Sequence, residues 1–269
     1  MFDGLTKVYR EEKKARNPFD ESCFSDDEWK LIQSCILKAF IAHLKTQWFF
    51  WHGQIDEAWA AVKAAEPSLG LMNGFVTPID QRFLAGLIAC QKYPQASNAE
   101  QASLNSYINC SLDELETLTL HCADNFEHKL LLLKAEQSRM DHADMALTLS
   151  LYDQAIHKAK QGGYLQYEAF ANERCADYWH EQGFETAVKR YVQQAIYAYQ
   201  QWGCKLKYTM LQKKYASLLA GDRFMLIESE NASDSNRTFL DKKQKTNFEI
   251  NSTSNAQTVF SDKLTGKHF

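Results

Sequence analysis

The sequence predicts an all-α fold made of stacked helical hairpins. The segment 151–159, Leu-Tyr-Asp-Gln-Ala-Ile-His-Lys-Ala, returns in outline at 191–199, and the helix-ending Gly163 has a counterpart in Gly203, at the same offset of 40 residues. A repeat of about 20 to 50 residues, with helices on both sides of a break, is typical of helical-repeat proteins. Glycine and proline are scarce, with 11 and 4 residues, which favours helix over sheet. Because one hairpin cannot bury its apolar face alone, neighbours must stack and leave a surface for binding another molecule.

Composition and charge narrow the class of protein. The net charge of −4 and the sequence pI near 6.1 give no overall attraction to nucleic acid or anionic lipid. The seven cysteines include no Cys-x-x-Cys pair, and such an odd, unpatterned set favours free thiols in a reducing compartment over a disulfide framework or a zinc site. They are Cys23, Cys35, Cys90, Cys110, Cys122, Cys175 and Cys204.

The chain shows no sequence signal for export or membrane insertion. Residues 1–16 are charged, and no apolar run of the kind found in a signal peptide follows them. The leucine run 130–133 stops at Lys134, far short of the ~20 apolar residues that a membrane-spanning helix needs. We therefore expect a soluble, cytoplasmic protein.

Three regions are expected along the chain. Residues 1–24 form a polar lead-in, residues 25–220 the helical-repeat domain, and residues 221–269 a disordered tail. The tail is rich in Ser, Asn, Thr, Lys and Asp and shows no sustained periodicity, so it lacks the apolar surface that would offset the cost of ordering the chain.

The first hairpin has clear boundaries. Residues 25–28, Ser-Asp-Asp-Glu, form a capping box, in which the serine and glutamate satisfy free backbone N–H groups at a helix start. The following pattern predicts a helix over 29–51, a break at Gly53, and a second helix over 54–66 that ends at Pro67.

Small and large residues in this hairpin have the spacing of a tetratricopeptide repeat. Ala58, Val62 and Ala65 occupy the small–large–small positions at which the two helices of such a repeat interlock. Small residues let the helix axes approach, and the larger one fills the groove between them. Ala187 and Tyr191 repeat the small–large spacing. We therefore predict a right-handed, tetratricopeptide-like α-α superhelix.

The second part of the domain is less regular. Thr77 and Pro78 are a capping residue and a first-position proline, and they predict a helix to about Lys92. A short helix is expected over 99–109. A second capping box at 111–114 then predicts a new helix to about Ala123, with Asp124 or Asn125 capping the next one.

The repeated core follows, with helices separated by glycines. Gly162-Gly163, Gly183 and Gly203 mark the breaks. The predicted helices are 142–161, 166–182, 185–201 and 205–219.

Several blocks of sequence resemble a known helical-repeat region: the tetratricopeptide-like segment of very large bacterial sensor proteins. The resemblance spans residues 17–219. The blocks that carry it are 17–21, 50–58, 125–129, 135–136, 151–156, 167–173 and 198–205.

This resemblance implies a role in bacterial signalling. In the family, a serine/threonine kinase domain and a predicted ATPase precede the helical segment, and a GAF sensor domain, often with a histidine kinase, follows it. The present chain contains no Gly-x-x-x-x-Gly-Lys-Ser/Thr loop, His-Arg-Asp or Asp-Phe-Gly element, so the catalytic activities are not carried over. The implied partner is a protein or peptide, such as a kinase, ATPase or sensor domain.

Aromatic side chains are the candidate partner-binding residues. Residues 48–51 are Trp-Phe-Phe-Trp, and four consecutive aromatics cannot all face one core stripe, because successive helical residues turn by about 100°. Some must contact a neighbouring helix or a partner, and burial between repeats is the main expectation. The same alternatives apply to Tyr197, Tyr199 and Trp202. The candidate residues for partner binding are Trp48, Trp51, Trp59, Asn172, Tyr178 and Trp179.

No residue pattern indicates catalysis, a metal or a cofactor. His121, Cys122 and His128 do not have the spacing of a common metal-ligand set. Cys35, Cys90 and Cys175 lie in apolar-periodic stretches, which favours small core residues over nucleophiles.

Three functions stay open from the sequence. The first is a non-catalytic scaffold for protein–protein interaction in bacterial signal transduction. The second is a fragment of a multi-domain sensor kinase, in which these helices link the ATPase to the sensor domain. The third is an enzyme with a site built from dispersed His and Glu residues. No convergent motif supports it, and a deep, closed polar pocket would favour it.

Overall fold

The computed structural model describes residues 35–72 and 74–220, and these residues are entirely helices and short connections. The predicted lead-in, the capping box at 25–28 and the predicted tail lie outside the described residues. The helices are α1 (Cys35–Trp51), α2 (Ile55–Leu69), α3 (Thr77–Lys92), α4 (Asn98–His121), α5 (Ala123–Met140), α6 (Met145–Gln161), α7 (Leu165–Glu181), α8 (Glu185–Trp202), α9 (Lys205–Lys214) and α10 (Ala216–Leu219).

Consecutive helices pack as pairs, which confirms the predicted all-α class and the helical hairpins. The four pairs are α1–α2, α3–α4, α5–α6 and α7–α8. The odd-numbered helices α1, α3, α5 and α7 also contact one another in succession. The finer arrangement as a tetratricopeptide-like superhelix stays a prediction.

Turns of one type end five of the helices. In each, a residue with positive φ follows the helix, and the next backbone N–H donates to a carbonyl five residues earlier, as from Tyr164 to Ala159 at 2.9 Å and from Cys204 to Tyr199 at 2.9 Å. This is the hydrogen bond of a Schellman motif. The positive-φ residues of these turns are Gly53, His142, Gly163, Gly183 and Gly203.

Most predicted boundaries of the hairpins are confirmed. The break at Gly53 and the end of α3 at Lys92 lie where the sequence places them. Thr77 was predicted to cap α3, but it is the first helical residue, and the N-cap is Val76. The predicted stop at Pro67 is wrong, because α2 continues to Leu69. Only the final turn of the helix follows the proline ring, so the missing backbone hydrogen bond costs little there.

A single helix, α4, replaces the two that the sequence predicts over 99–123. Its capping box is formed by Ser97 and Glu100. Ser111, predicted to start a new helix, is instead buried inside α4, with its hydroxyl 2.7 Å from the carbonyl oxygen of Arg82 on α3. A Cβ atom on Gly86 of α3 would lie 3.0 Å from the Ser111 Cβ, so the two helices cross at close range here. The serine is therefore a helix-crossing contact and not a cap.

Three more predicted boundaries need correction. The N-cap of α5 is Cys122 and not Asp124 or Asn125. Helix α6 begins at Met145 rather than at 142, because the Asp144 side chain accepts a hydrogen bond from the Leu147 N–H at 3.1 Å. The last predicted helix, 205–219, is divided, since α9 ends at Lys214.

We predict that His142→Gly stabilises the protein by about 1 kcal/mol, because His142 is the single non-glycine residue with positive φ among the described residues, at 51°. Its side chain is exposed, so the substitution removes no core contact. Urea unfolding followed by circular dichroism would measure the change.

Two glycines provide matched controls for this prediction. Gly163 has a φ of 73° and open space around it, so Gly163→Ala should destabilise by about 1 kcal/mol. Gly70 also has open space but a φ of −62°, so Gly70→Ala should cost nothing. A destabilised His142→Gly variant would contradict the backbone argument.

Candidate functional site

The aromatic run at the end of α1 reaches across to the fourth helix pair. Phe50 and Trp51 contact Phe170 of α7 with ring centroids 5.2 and 5.4 Å apart, and Trp51 lies 5.6 Å from Trp202 at the end of α8. Phe50, Trp51 and Phe170 are all buried. We call Phe50, Trp51, Phe170 and Trp202 the aromatic junction. It joins the first pair to the fourth.

A partly buried ion pair borders the aromatic junction. The Lys207 ammonium lies 2.7 Å from the Glu173 carboxylate, 6.0 Å from the Trp51 ring centroid and 5.6 Å from that of Tyr199. The Tyr199 hydroxyl donates to the other Glu173 oxygen at 2.6 Å. Burial and the neighbouring Glu173 raise the pKa of Tyr199 well above its ordinary value, so the phenol stays a donor.

The remaining candidate residues lie in contacts within the chain. Trp48 stacks on His52 at 3.9 Å, Trp59 packs on Tyr107 at 4.8 Å, and the Asn172 amide donates to a carbonyl oxygen of its own helix. Tyr178 is buried beside Tyr152, while Trp179 is partly exposed and packs on Phe184. Packing within the chain accounts for the aromatic residues of this set, and the role of all five in binding a partner stays a prediction.

A charged network joins α5, α6 and α7. Both oxygens of the Glu136 carboxylate accept from the Arg174 guanidinium, at 2.8 and 2.9 Å, and the Tyr152 hydroxyl donates to the same carboxylate at 2.7 Å. Burial by itself would raise the pKa of Glu136, but Arg174 outweighs it and holds that pKa below its ordinary value. The pair is therefore fully charged and fully hydrogen-bonded.

The network continues to α9. Arg174 also lies 3.3 Å from Asp177, and Asp177 accepts from the Lys214 ammonium at 2.6 Å and from the Tyr215 hydroxyl. Burial acts to raise the pKa of Asp177, but Arg174 and Lys214 together hold it below its ordinary value.

Polar contacts also join the earlier odd-numbered helices. Between α1 and α3, the buried Gln81 side chain lies 2.8 Å from the His43 ring and donates to Thr46 at 3.0 Å. Between α3 and α5, the Lys129 ammonium is paired with Asp80. Each interface between successive odd-numbered helices, from α1 to α9, thus contains a directional polar contact.

His128 of α5 is buried without a polar partner. Its ring stacks on Tyr164 with centroids 4.1 Å apart, and neither ring nitrogen has a hydrogen-bond partner among the described residues. Burial, and then the charge of the adjacent Lys129, lower the pKa of His128 to about 3. The imidazole is therefore neutral at physiological pH.

An open groove of about 510 Å³ follows the outer face of α6. Ser150, Asp153 and Gln154 are exposed along it. Asp153 accepts from the Tyr191 hydroxyl of α8 at 2.7 Å, which ties α6 to the neighbouring pair. The groove is lined by Ala146, Leu149, Ser150, Asp153, Gln154, His157 and Lys158.

The described residues can be searched for a metal-ligand cluster and for a membrane-spanning helix. No three His, Cys, Asp or Glu side chains of residues 35–72 and 74–220 are grouped as metal ligands. No helix in the same ranges is both long enough and apolar enough to span a membrane.

Sequence reasoning did not find the partners of Trp51 in the fourth pair. Phe170 was not among the candidate residues, although it lies in the block 167–173 that carries the family resemblance, and Lys207, which lies beyond this pair in α9, was not among them either. Trp202 was considered only as one of several aromatics. A contact between residues that lie more than a hundred positions apart leaves no local signal in a single sequence.

The fold defines the class of the protein as an all-α protein of consecutively packed helix pairs. Comparisons of the chain with protein-family models, with curated proteins and with solved structures give no match.

We predict that Arg174→Met destabilises the protein by about 3 to 5 kcal/mol, because it leaves the Glu136 carboxylate buried without its charge partner. Lys134→Met is the control, since its ion pair with Glu116 is far more exposed than that of Arg174 and should contribute less than about 1 kcal/mol. Chemical denaturation would measure both. The double variant Glu136→Leu/Arg174→Met should recover most of the loss, and a loss as large as that of Arg174→Met alone would contradict the argument.

We also predict a loss of stability with acidification that depends on His128. Its folded-state pKa of about 3 lies below the unfolded value of 6.5, so its contribution is complete above pH 6.5 and is lost as the pH falls towards 3. Between pH 7.5 and pH 5 the expected loss is about 1 to 2 kcal/mol. His43 and His52, whose pKa values burial also lowers, add to it.

The measurement is the free energy of unfolding at several pH values for the wild type and for His128→Phe. The variant keeps an aromatic ring against Tyr164 and should show a shallower pH dependence. Replacement of the exposed His121 by Gln should leave the wild-type slope unchanged. Equal slopes for all three proteins would show that His128 does not carry the effect.

Proposed function

We propose that this protein is a non-catalytic helical-repeat scaffold, a tetratricopeptide-like superhelix that binds a protein partner in bacterial signal transduction. The observation that carries the proposal is the open groove along α6. An open groove along the exposed side of one helix suits a peptide or helix docked along its length, because apolar side chains supply contact area while polar ones fix the register.

The groove residues have the mixed character that such docking requires. Leu149 and Ala146 supply apolar surface near the start of α6, while Asp153, Gln154 and His157 supply polar groups further along. The mixture suits a segment with an apolar end and a polar end. The groove is also held open on a fixed framework, since α6 packs on α5 and α7.

The signalling context rests on the resemblance of residues 17–219 to the helical segment of bacterial sensor proteins. It supports a kinase, ATPase or sensor domain as the partner. It equally supports the second candidate, in which the chain is a fragment of such a sensor protein and links its ATPase to its sensor domain. Kinase, ATPase or GAF sequence in the flanking reading frames would favour the fragment.

The test is affinity capture with the full chain from cells that carry its gene, followed by quantitative mass spectrometry. Ser150→Arg and Gln154→Arg place a bulky charge on exposed positions in the groove. We expect the captured partner to fall by about tenfold with either variant, which corresponds to about 1.4 kcal/mol of binding free energy.

Gln161→Arg is the matched control. It makes the same change on the same helix at an exposed position outside the groove, so capture should stay at the wild-type level. A partner lost equally from all three variants would implicate charge rather than the groove. A partner retained by all three would rule out the groove as the docking site.

A further inference from the structure

The groove on α6 has the residue spacing of a helix-docking surface. Ala146, Leu149, Asp153 and His157 follow one another at intervals of three or four residues, so they share one face of the helix. An added strand would need a sheet edge with unpaired backbone groups, whereas the backbone of α6 is paired within the helix. A polyproline segment would need an aromatic-lined groove, and the described lining contains no Phe, Tyr or Trp. The groove therefore suits a helix.

One end of the groove offers apolar contact area. Ala146 and Leu149 line it near the start of α6. Leu147 is 52% exposed and lies one turn before Ser150, so it adds apolar surface beside this end of the groove. These side chains suit the apolar anchor of a docked helix, because removal of apolar area from water favours binding.

Asp153 is the charged group of the groove that has no compensating cation. The Lys158 ammonium, also in the lining, is paired with Glu127 of α5 at 2.8 Å. The Asp153 carboxylate instead accepts from the Tyr191 hydroxyl at 2.7 Å, and it forms no ion pair within the described part of the chain. Burial and this hydrogen bond raise the pKa of Tyr191, so the phenol stays neutral. Arg190 of α8 lies against the Tyr191 ring, 5.9 Å from its centroid, and not on the carboxylate.

The distance between the apolar end and the carboxylate matches the repeat of a second helix. Asp153 is four residues after Leu149, which is about 6 Å along the axis of α6. Side chains three or four residues apart on a partner helix span about 5 to 6 Å. A docked helix can therefore place an apolar side chain on Leu149 and a cation on Asp153 at the same time.

We propose that the partner segment of the α6 groove is an amphipathic helix that packs an apolar side chain on Leu149 and, three or four residues away, places a lysine or arginine on Asp153. The inference rests on the proposed function, because it names the partner chemistry of the same groove. Asp153 selects the partner, since an acidic residue opposite it is repelled and a neutral one gains less.

The test selects peptides from a phage-displayed library of helical sequences with one randomised face, with the full chain as bait. A selected peptide counts as a groove ligand when Ser150→Arg weakens its binding. We expect the groove ligands to share a Lys or Arg three or four residues from a large apolar residue. Selection on Asp153→Lys should replace this cation by Asp or Glu, because the charge of the groove is reversed.

The affinity of one selected peptide isolates the role of the charge. Asp153→Asn removes the charge but keeps an oxygen that can accept from Tyr191, so we expect about three- to tenfold weaker binding in fluorescence anisotropy. Replacing the cation of the peptide by Met should cause the same loss on the wild type and no further loss on Asp153→Asn. Circular dichroism confirms that each variant is folded.

Tyr191→Phe is the matched control. It removes the hydrogen bond between α8 and α6 but keeps the carboxylate, so the preference for the cationic peptide over the methionine peptide should remain. Loss of this preference in Tyr191→Phe would assign the effect to the contact between the helices and overturn the inference.

The other outcomes separate this inference from the proposed function. Groove ligands without a shared cation, or equal affinity of the cationic peptide for the wild type and Asp153→Asn, would overturn the inference and leave the groove as a docking site. Selected peptides that all bind Ser150→Arg as tightly as the wild type would overturn both proposals.

Discussion

The ion pair of Glu136 and Arg174 fixes the geometry on which the rest of the domain depends. The Glu136 carboxylate is buried between α5 and α7 and Arg174 is largely covered, so misalignment would leave a buried charge without a partner. The bidentate geometry restricts how α7 lies against α5. Phe170 is one helical turn before Arg174, and the orientation that the ion pair imposes therefore carries this ring to Trp51. An electrostatic contact in the third and fourth pairs thus positions an aromatic contact with the first.

The two kinds of interface in the domain are built differently. Within a hairpin, small residues such as Ala58 and Ala195 are fully buried and let the helices approach closely. Between successive odd-numbered helices, directional contacts such as Gln81 with Thr46 and Lys207 with Glu173 recur. Apolar packing tolerates sliding, whereas a buried hydrogen bond or ion pair is satisfied in one register only. We infer that packing within the hairpins buries the apolar surface, and that the polar contacts between odd-numbered helices determine how the hairpins stack.

Local signals in the sequence predicted the local structure and little else. The offset between Gly163 and Gly203 predicted two turns correctly, because a left-handed residue that ends a helix favours glycine. His142 adopts the same turn although it is not a glycine. Ser111 begins a capping-box sequence, but its hydroxyl donates to Arg82 where α3 and α4 cross. At Ser111 tertiary packing outweighs the local preference, whereas at His142 the turn is closed by the local hydrogen bond from the Ala143 N–H to the Ser138 carbonyl oxygen. The junction partners of Trp51 lie more than a hundred residues further along the chain, and no local pattern encodes a contact at that separation.

The contrast between the groove on α6 and the aromatic junction follows from the cost of exposing each surface. The groove carries Ser150, Asp153 and Gln154, which water solvates well, so it can stay open in the free protein. A face of Phe170, Tyr199 and Trp202 left open would present contiguous aromatic area, which favours non-specific association. The protein avoids such association only when another side chain or segment covers this aromatic face. The end of α1 does so, which accounts for the consecutive aromatics that no single core stripe could accommodate.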